Sequence, residues 1–262
     1  YLFEITAQMI EKYKAKRLKK VAPATVNREL ASLKHMFTKA IEWGLVKTNP
    51  AKRVKRLKEP PGRLRYLKTE EIKKLLDVCA DHVRSIVITA LNTGMRKSEI
   101  LNLCWREVDL KNRKITVINA KNNETRVIPI NKTLYEELIT LSQKPKGEYV
   151  FSNRNGDPFG DIKKGFSAAL ERAGIEDFRF HDLRHTFGSH LVMQGVNIKT
   201  VQQILGHKDI KMTMRYSHLS RSHLQDAVNK LDMSWTLYGH QRDAGENNAK
   251  DEMAGKPNKI RT

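Results

Sequence analysis

Lys114-Ile115-Thr116-Val117-Ile118 and Arg126-Val127-Ile128-Pro129-Ile130, with the polar run Lys121-Asn122-Asn123-Glu124 between them, mark where the chain changes its hydrophobic period. Both segments are rich in β-branched residues, and the polar run supplies a turn, so the stretch 107–130 predicts a β-hairpin. Outward from it, apolar residues recur at helical spacing. Helices are predicted over 70–80, 82–92 and 97–103 on one side, and over 132–142, 160–173, 182–194, 198–205 and 221–232 on the other. Thr69, followed by Glu70 and Glu71, supplies a helix start with acidic residues in its first turn. The expected fold class is mainly α with a small antiparallel β-sheet (α+β).

Nearer the N-terminus the spacing predicts two further helices, 7–20 and 25–43. In the second, Val26, Leu30, Leu33, Phe37 and Ile41 share a face, Pro23 and Thr25 mark the start, and Gly44 marks the end. The run from Lys52 to Gly62 is basic and then rich in chain breakers, which predicts a domain boundary. The expected organisation is a helical domain over 1–59, a linker over 60–66, a larger domain over 67–233, and a disordered polar tail over 234–262.

With 49 Lys+Arg against 29 Asp+Glu, the chain carries a formal charge of +20. Residues 1–59 hold 15 basic and 5 acidic side chains, so positive charge is densest there. Such an excess draws a protein to polyanions, either nucleic acid or an anionic membrane surface. No apolar run approaches the ~20 residues of a membrane span, and no signal peptide is visible. Cys79 and Cys104 are too few for a disulfide framework or a four-cysteine zinc site, which predicts a reducing, cytoplasmic setting. An opening without Met predicts a fragment from which an N-terminal domain is missing.

Four places could carry chemistry. Thr93-Gly94-Met95-Arg96-Lys97-Ser98-Glu99 puts an arginine after a glycine turn at a helix start. Lys121 lies at the hairpin tip. His181-Asp182-Leu183-Arg184-His185 opens a helix with His181 and Arg184 on one face. Leu205-Gly206-His207 closes a helix, and Tyr216 follows it. Singly, each has a plain structural explanation: a surface arginine, a solvated lysine, a helix cap, one of seven tyrosines. His181 and His185 have the spacing of a metal pair, but Arg184 between them would repel a cation, and the glutamate of an HExxH site is absent. No metal and no cofactor are expected.

Together they suit phosphodiester chemistry. Two arginines can clamp the non-bridging oxygens bidentately, lysine and histidine can move protons at the attacking and leaving oxygens, and tyrosine can attack to form a covalent intermediate. Such an intermediate conserves the bond energy, so religation needs no ATP, and no Gly-rich phosphate loop of the P-loop kind is present.

The order Arg … Lys … His-x-x-Arg … Leu-Gly-His … Tyr resembles the tyrosine recombinases, the phage-integrase family, across roughly residues 20–232. The resemblance implies Arg96 and Arg184 as the phosphate clamp, Lys121 as general acid to the 5′-hydroxyl leaving group, and His181 as candidate general base toward Tyr216. It implies that His207 hydrogen-bonds the scissile phosphate and that Tyr216 forms a 3′-phosphotyrosyl bond. Glu99 fits a supporting carboxylate. The N-terminal part, in Ala24-Thr25-Val26-Asn27-Arg28-Glu29-Leu30 and Trp43-Gly44-Leu45, resembles the family's core-binding domain. There Arg28, Lys34, Lys52, Arg53, Lys55 and Arg56 are the DNA-contact candidates, and both domains would clamp duplex DNA. A homotetramer on two DNA sites, accessory DNA-bending proteins and a missing arm-binding domain follow from the resemblance alone. The helix over 221–232, with Leu224, Val228 and Leu231, would dock on a neighbouring protomer or pack within its own.

The expected function is site-specific recombination by a phage or mobile-element integrase. A dimer resolvase of the Xer kind, a type IB topoisomerase and a non-catalytic DNA-binding regulator are the alternatives.

Overall fold

The structure, a computed structural model, describes residues 1–60, 62–119, 124–143 and 147–220. Lys121 and the rest of the hairpin turn, the expected helix over 221–232 and the tail over 234–262 lie outside the described residues. The chain divides into two compact units, with the boundary between Arg63 and Leu64.

In the first unit, α1 (Ala7–Leu18) starts where the Thr6 hydroxyl accepts from the Met9 N–H, a side-chain cap for an otherwise unpaired donor. Helix α2 (Pro23–Glu42) begins two residues earlier than the spacing predicts. Pro23 can occupy the first turn because its missing N–H would have no helical partner there. Val26, Leu30 and Phe37 of α2 are fully buried against Ile10, Ala51 and Val54. Buried Asn27 holds the returning chain from both sides, accepting from the Leu57 N–H at 2.8 Å and donating to the Leu57 carbonyl at 2.9 Å.

Of the DNA-contact candidates, Arg28, Lys52, Arg53, Lys55 and Arg56 are exposed. Lys34 is not a free surface charge. Its ammonium donates to the Val54 carbonyl at 3.1 Å and ties α2 to the basic segment.

The second unit is built on α4 (Asp81–Thr93), whose Val83, Ile86, Val87, Ile88 and Ala90 are buried. Around it stand α3 (Thr69–Val78), α6 (Lys132–Ser142), α7 (Lys163–Arg172) and α8 (Phe180–Met193). Helix α7 begins only at Lys163, three residues later than expected, where Asp161 accepts from the Lys163 N–H. Short α5 (Lys97–Leu101) stops before the predicted 103.

The predicted hairpin forms β2 (Lys114–Asn119) and β3 (Glu124–Pro129), and a short strand that the periodicity does not reveal, β1 (Val108–Asp109), completes the antiparallel order β1-β2-β3. In register, Ile115 faces Ile128 and Val117 faces Arg126. Alternation then places Ile115, Val117 and Ile128 in the core, while Ile118 and Val127 stay exposed. Arg126 takes the inward phase. Helices α9 (Ile198–Leu205) and α10 (Lys211–Met214) follow α8 and carry the chain to Tyr216.

Candidate active site

The site forms where helix ends of the second unit meet. Helix α4 ends at Gly94, whose φ of +62° lies in the left-handed region. A Cβ there would lie 2.4 Å from Phe187 and 2.6 Å from Leu205, so both backbone and packing require glycine. The turn delivers Arg96 to the start of α5. Glu99 reaches back to accept from the Arg96 N–H at 2.8 Å and from its guanidinium at 2.8 Å.

Arg184 projects from α8 and is 3% exposed. It donates to the Gly94 and Leu205 carbonyls, each at 2.6 Å. These oxygens terminate α4 and α9, so the cation sits at the negative ends of two helices. Burial first, and then the nearby Arg96 charge, push its pKa down to about 10. At neutral pH it therefore remains a cation. Arg184 thus joins the turn that carries Arg96 to the turn that carries His207.

Helix α9 ends at Gly206, again left-handed at φ +66°. His207 follows, with Nδ1 hydrogen-bonded to the Thr213 hydroxyl at 2.9 Å and the backbone carbonyl accepting from Gln202 at 2.9 Å. Burial and the charges of Arg184 and Arg96 push its pKa down to about 4.

Tyr216 is fully buried. Its ring lies against α8 at Gly188, where a Cβ would approach ring carbons at 3.0 and 3.1 Å. Its hydroxyl meets Nδ1 of His185 at 2.7 Å. The sequence reading pairs Tyr216 with His181, but the imidazole on the phenol is His185, one helical turn further along. The physical reason is the direction of α8: His181 is exposed in its first turn, while His185 points inward. The two imidazoles meet edge to face at 5.0 Å.

Arg215 approaches Nε2 of His185 at 3.4 Å. An arginine can only donate, so Nε2 is assigned as the acceptor, and the neutral ring carries its proton on Nδ1. His185 then donates to the tyrosine oxygen. Burial, reinforced by Arg215 and neighbouring cations, pushes the His185 pKa down to about 3. Burial raises the Tyr216 pKa, against the lowering influence of Arg184 and Arg215.

Arg96, Glu99, Arg184, His207 and Tyr216 therefore converge, together with two residues the sequence reading does not assign, His185 and Arg126. Arg126 binds both Glu99 oxygens, at 3.1 and 2.6 Å. Its sequence signal is a charge in phase with the apolar Ile128 and Ile130.

Residues 65–223 match the phage integrase family, and residues 1–58 match the phage integrase N-terminal domain. The chain is 37% identical to the integrase of Escherichia phage 186, over 86% of this chain and 68% of the relative. It is 35% identical to the integrase of Salmonella phage P22, over 82% and 59%. The chain thus spans roughly three-fifths to two-thirds of these relatives' length. The fold resembles the Tn1549 transposon integrase in complex with a circular intermediate DNA, with TM-score 0.73 and 20% identity, over 88% of this chain and 86% of that one. The chain belongs to the phage integrase family, the tyrosine-type site-specific recombinases.

Proposed function

We propose that this chain acts as a phage or mobile-element integrase, cutting and rejoining duplex DNA through Tyr216. The observation that supports this reading best is Arg184, a buried cation tied to the very turns that carry Arg96 and His207. Among the described residues its hydrogen-bond acceptors are two neutral carbonyls, so guanidinium N–H donors and a full charge remain. A phosphodiester beside Arg96 would accept from those remaining donors.

In the proposed step the Tyr216 oxygen attacks phosphorus while the bond to the 5′ oxygen breaks. Arg96, Arg184 and His207 hold the non-bridging oxygens as charge develops. Lys121 delivers a proton to the departing oxygen, a role that rests on the family resemblance. His181, in the first turn of α8 with its pKa lowered by partial desolvation and then by the Arg184 charge, can take the phenolic proton once Tyr216 leaves its buried position. His185, as assigned, cannot. Its hydrogen bond holds the Tyr216 oxygen in the buried position that the side chain leaves before attack. Attack requires Tyr216 to move, because a fully buried hydroxyl cannot reach a phosphate in solution.

Duplex DNA is the proposed partner, and exposed Arg28, Lys52, Arg53, Lys55 and Arg56 are the proposed phosphate contacts of the first unit. Tetrameric assembly on two DNA sites and a cytoplasmic location belong to the same proposal.

A pool of end-labelled, nicked duplexes of randomised sequence tests it. The nick lets the short 5′-hydroxyl strand diffuse away, so a covalent adduct accumulates and survives denaturation. The parent chain forms the adduct, peptide mapping places it on Tyr216, and Tyr216→Phe forms none. An adduct of unchanged yield from Tyr216→Phe would overturn the assignment.

A further inference from the structure

Arg126 occupies a core-facing strand position where an aliphatic residue would serve packing better. Its guanidinium forks onto the two Glu99 oxygens at 3.1 and 2.6 Å, and Nε donates to the Ile204 carbonyl at 3.2 Å. Both partners of the ion pair are 14% exposed. The same two Glu99 oxygens also receive the Arg96 N–H and guanidinium. On its other side, Arg126 lies so close to α9 that a Cβ at Gly206 would stand 2.9 Å from its Cδ.

We propose that Arg126 is a positioning residue for strand cleavage, acting through Glu99 on Arg96 and through Ile204 and Gly206 on His207. The inference rests on the functional reading above. Two physical arguments carry it. Glu99 alone beside Arg96 would form a closed ion pair, cancelling the charge meant for phosphate. With Arg126 sharing the carboxylate, two cations face one anion, and Arg96 keeps a net positive field toward its open side. The second argument is geometric. One rigid planar fork fastens strand β3 to the start of α5 and the end of α9, so three elements hold one register. A lysine carries the charge but cannot span the carboxylate and a backbone carbonyl in one plane. Stability alone does not explain such a pair, because an apolar replacement of a buried ion pair is often no less stable.

The test uses the full chain and the same nicked-duplex pool, under single turnover with saturating protein. Displacing a phosphate-binding arginine by about 1 Å costs on the order of 100-fold in rate. Arg126→Gln is expected to slow adduct formation by about that factor with DNA affinity unchanged, and Arg126→Lys to recover only part of the loss. Combined with Arg96→Lys, the rate penalties should overlap, since both changes act on one group. Fold integrity is read from each variant's thermal melt. If Arg126→Gln fails to fold, Arg126→Lys carries the comparison. Cleavage by a folded variant at the parent rate would overturn the inference, and so would penalties that multiply with Arg96→Lys. A parent chain with no Tyr216-dependent adduct would instead overturn the functional reading, and this inference with it.

Discussion

Replacing Glu99 with glutamine changes one oxygen to an amide nitrogen with almost no change in shape. The carboxylate receives N–H donors from the Arg96 backbone, the Arg96 guanidinium and both terminal nitrogens of Arg126. Burial raises its pKa, but these donors overcome that and hold it at about 2, against an ordinary 4.5. At 1.36 kcal/mol per unit, the difference corresponds to roughly 3 kcal/mol of stabilisation at pH 7. A carboxyl with a depressed folded-state pKa stabilises fully above its unfolded value. That contribution is lost as pH falls through the folded value, so the window here runs from about 4.5 down to 2. Glu99→Gln has no such titration. Urea unfolding of the parent and the variant, each at pH 7 and pH 3, isolates this group because every other carboxyl cancels in the difference. The gap should be about 3 kcal/mol at pH 7 and about 2 kcal/mol smaller at pH 3. A gap below about 1 kcal/mol at pH 7, or one independent of pH, would refute the view that Glu99 is an ionised hub between two arginines.

Gly94→Ala places a side chain at φ +62° against Phe187 and Leu205, so it should destabilise the second unit by about 2 kcal/mol or more. A thermal melt reads the loss directly, and an unchanged midpoint would show that the turn can relax. Adduct formation should show no inflection between pH 5.5 and 7.5 belonging to His185 or His207, whose pKa values lie near 3 and 4. Both imidazoles are already neutral across that range, so an inflection removed by His207→Gln would contradict the assigned protonation state.

Most of the second unit's helices were legible in the sequence because their apolar residues repeat at helical spacing, whereas the four-residue α10 is too short to show a period. The hairpin was legible from its change of period. What escaped were features fixed by tertiary position. Strand β1 has two residues, too short for any period to show. His181 and His185 are four apart and share a face of α8, so the choice between them depends on how far along the helix Tyr216 docks, which spacing alone does not reveal. Arg126 was legible in principle, since its phase matches Ile128 and Ile130, but an inward-pointing charge is interpretable only once Glu99 is found opposite. That Arg96, Glu99, Arg184, His207 and Tyr216 would come together was, by contrast, legible, because the phosphodiester chemistry proposed for them restricts residue type.

The two glycines that close α4 and α9 explain why these motifs sit at helix ends. Each ends its helix in the left-handed conformation, and each stands where a methyl group would collide, Gly94 with Phe187 and Leu205, Gly206 with Arg126. Terminating a helix leaves carbonyls without partners, and here two of them, on Gly94 and Leu205, are supplied with donors by Arg184. The same side chain therefore caps two helices and holds the charge proposed for the phosphate. In the proposed function, folding and phosphate binding both draw on it. A lysine at position 184 could satisfy one carbonyl but could not bridge both and still present a planar face, so the geometry demands arginine there for the fold as much as for the reaction.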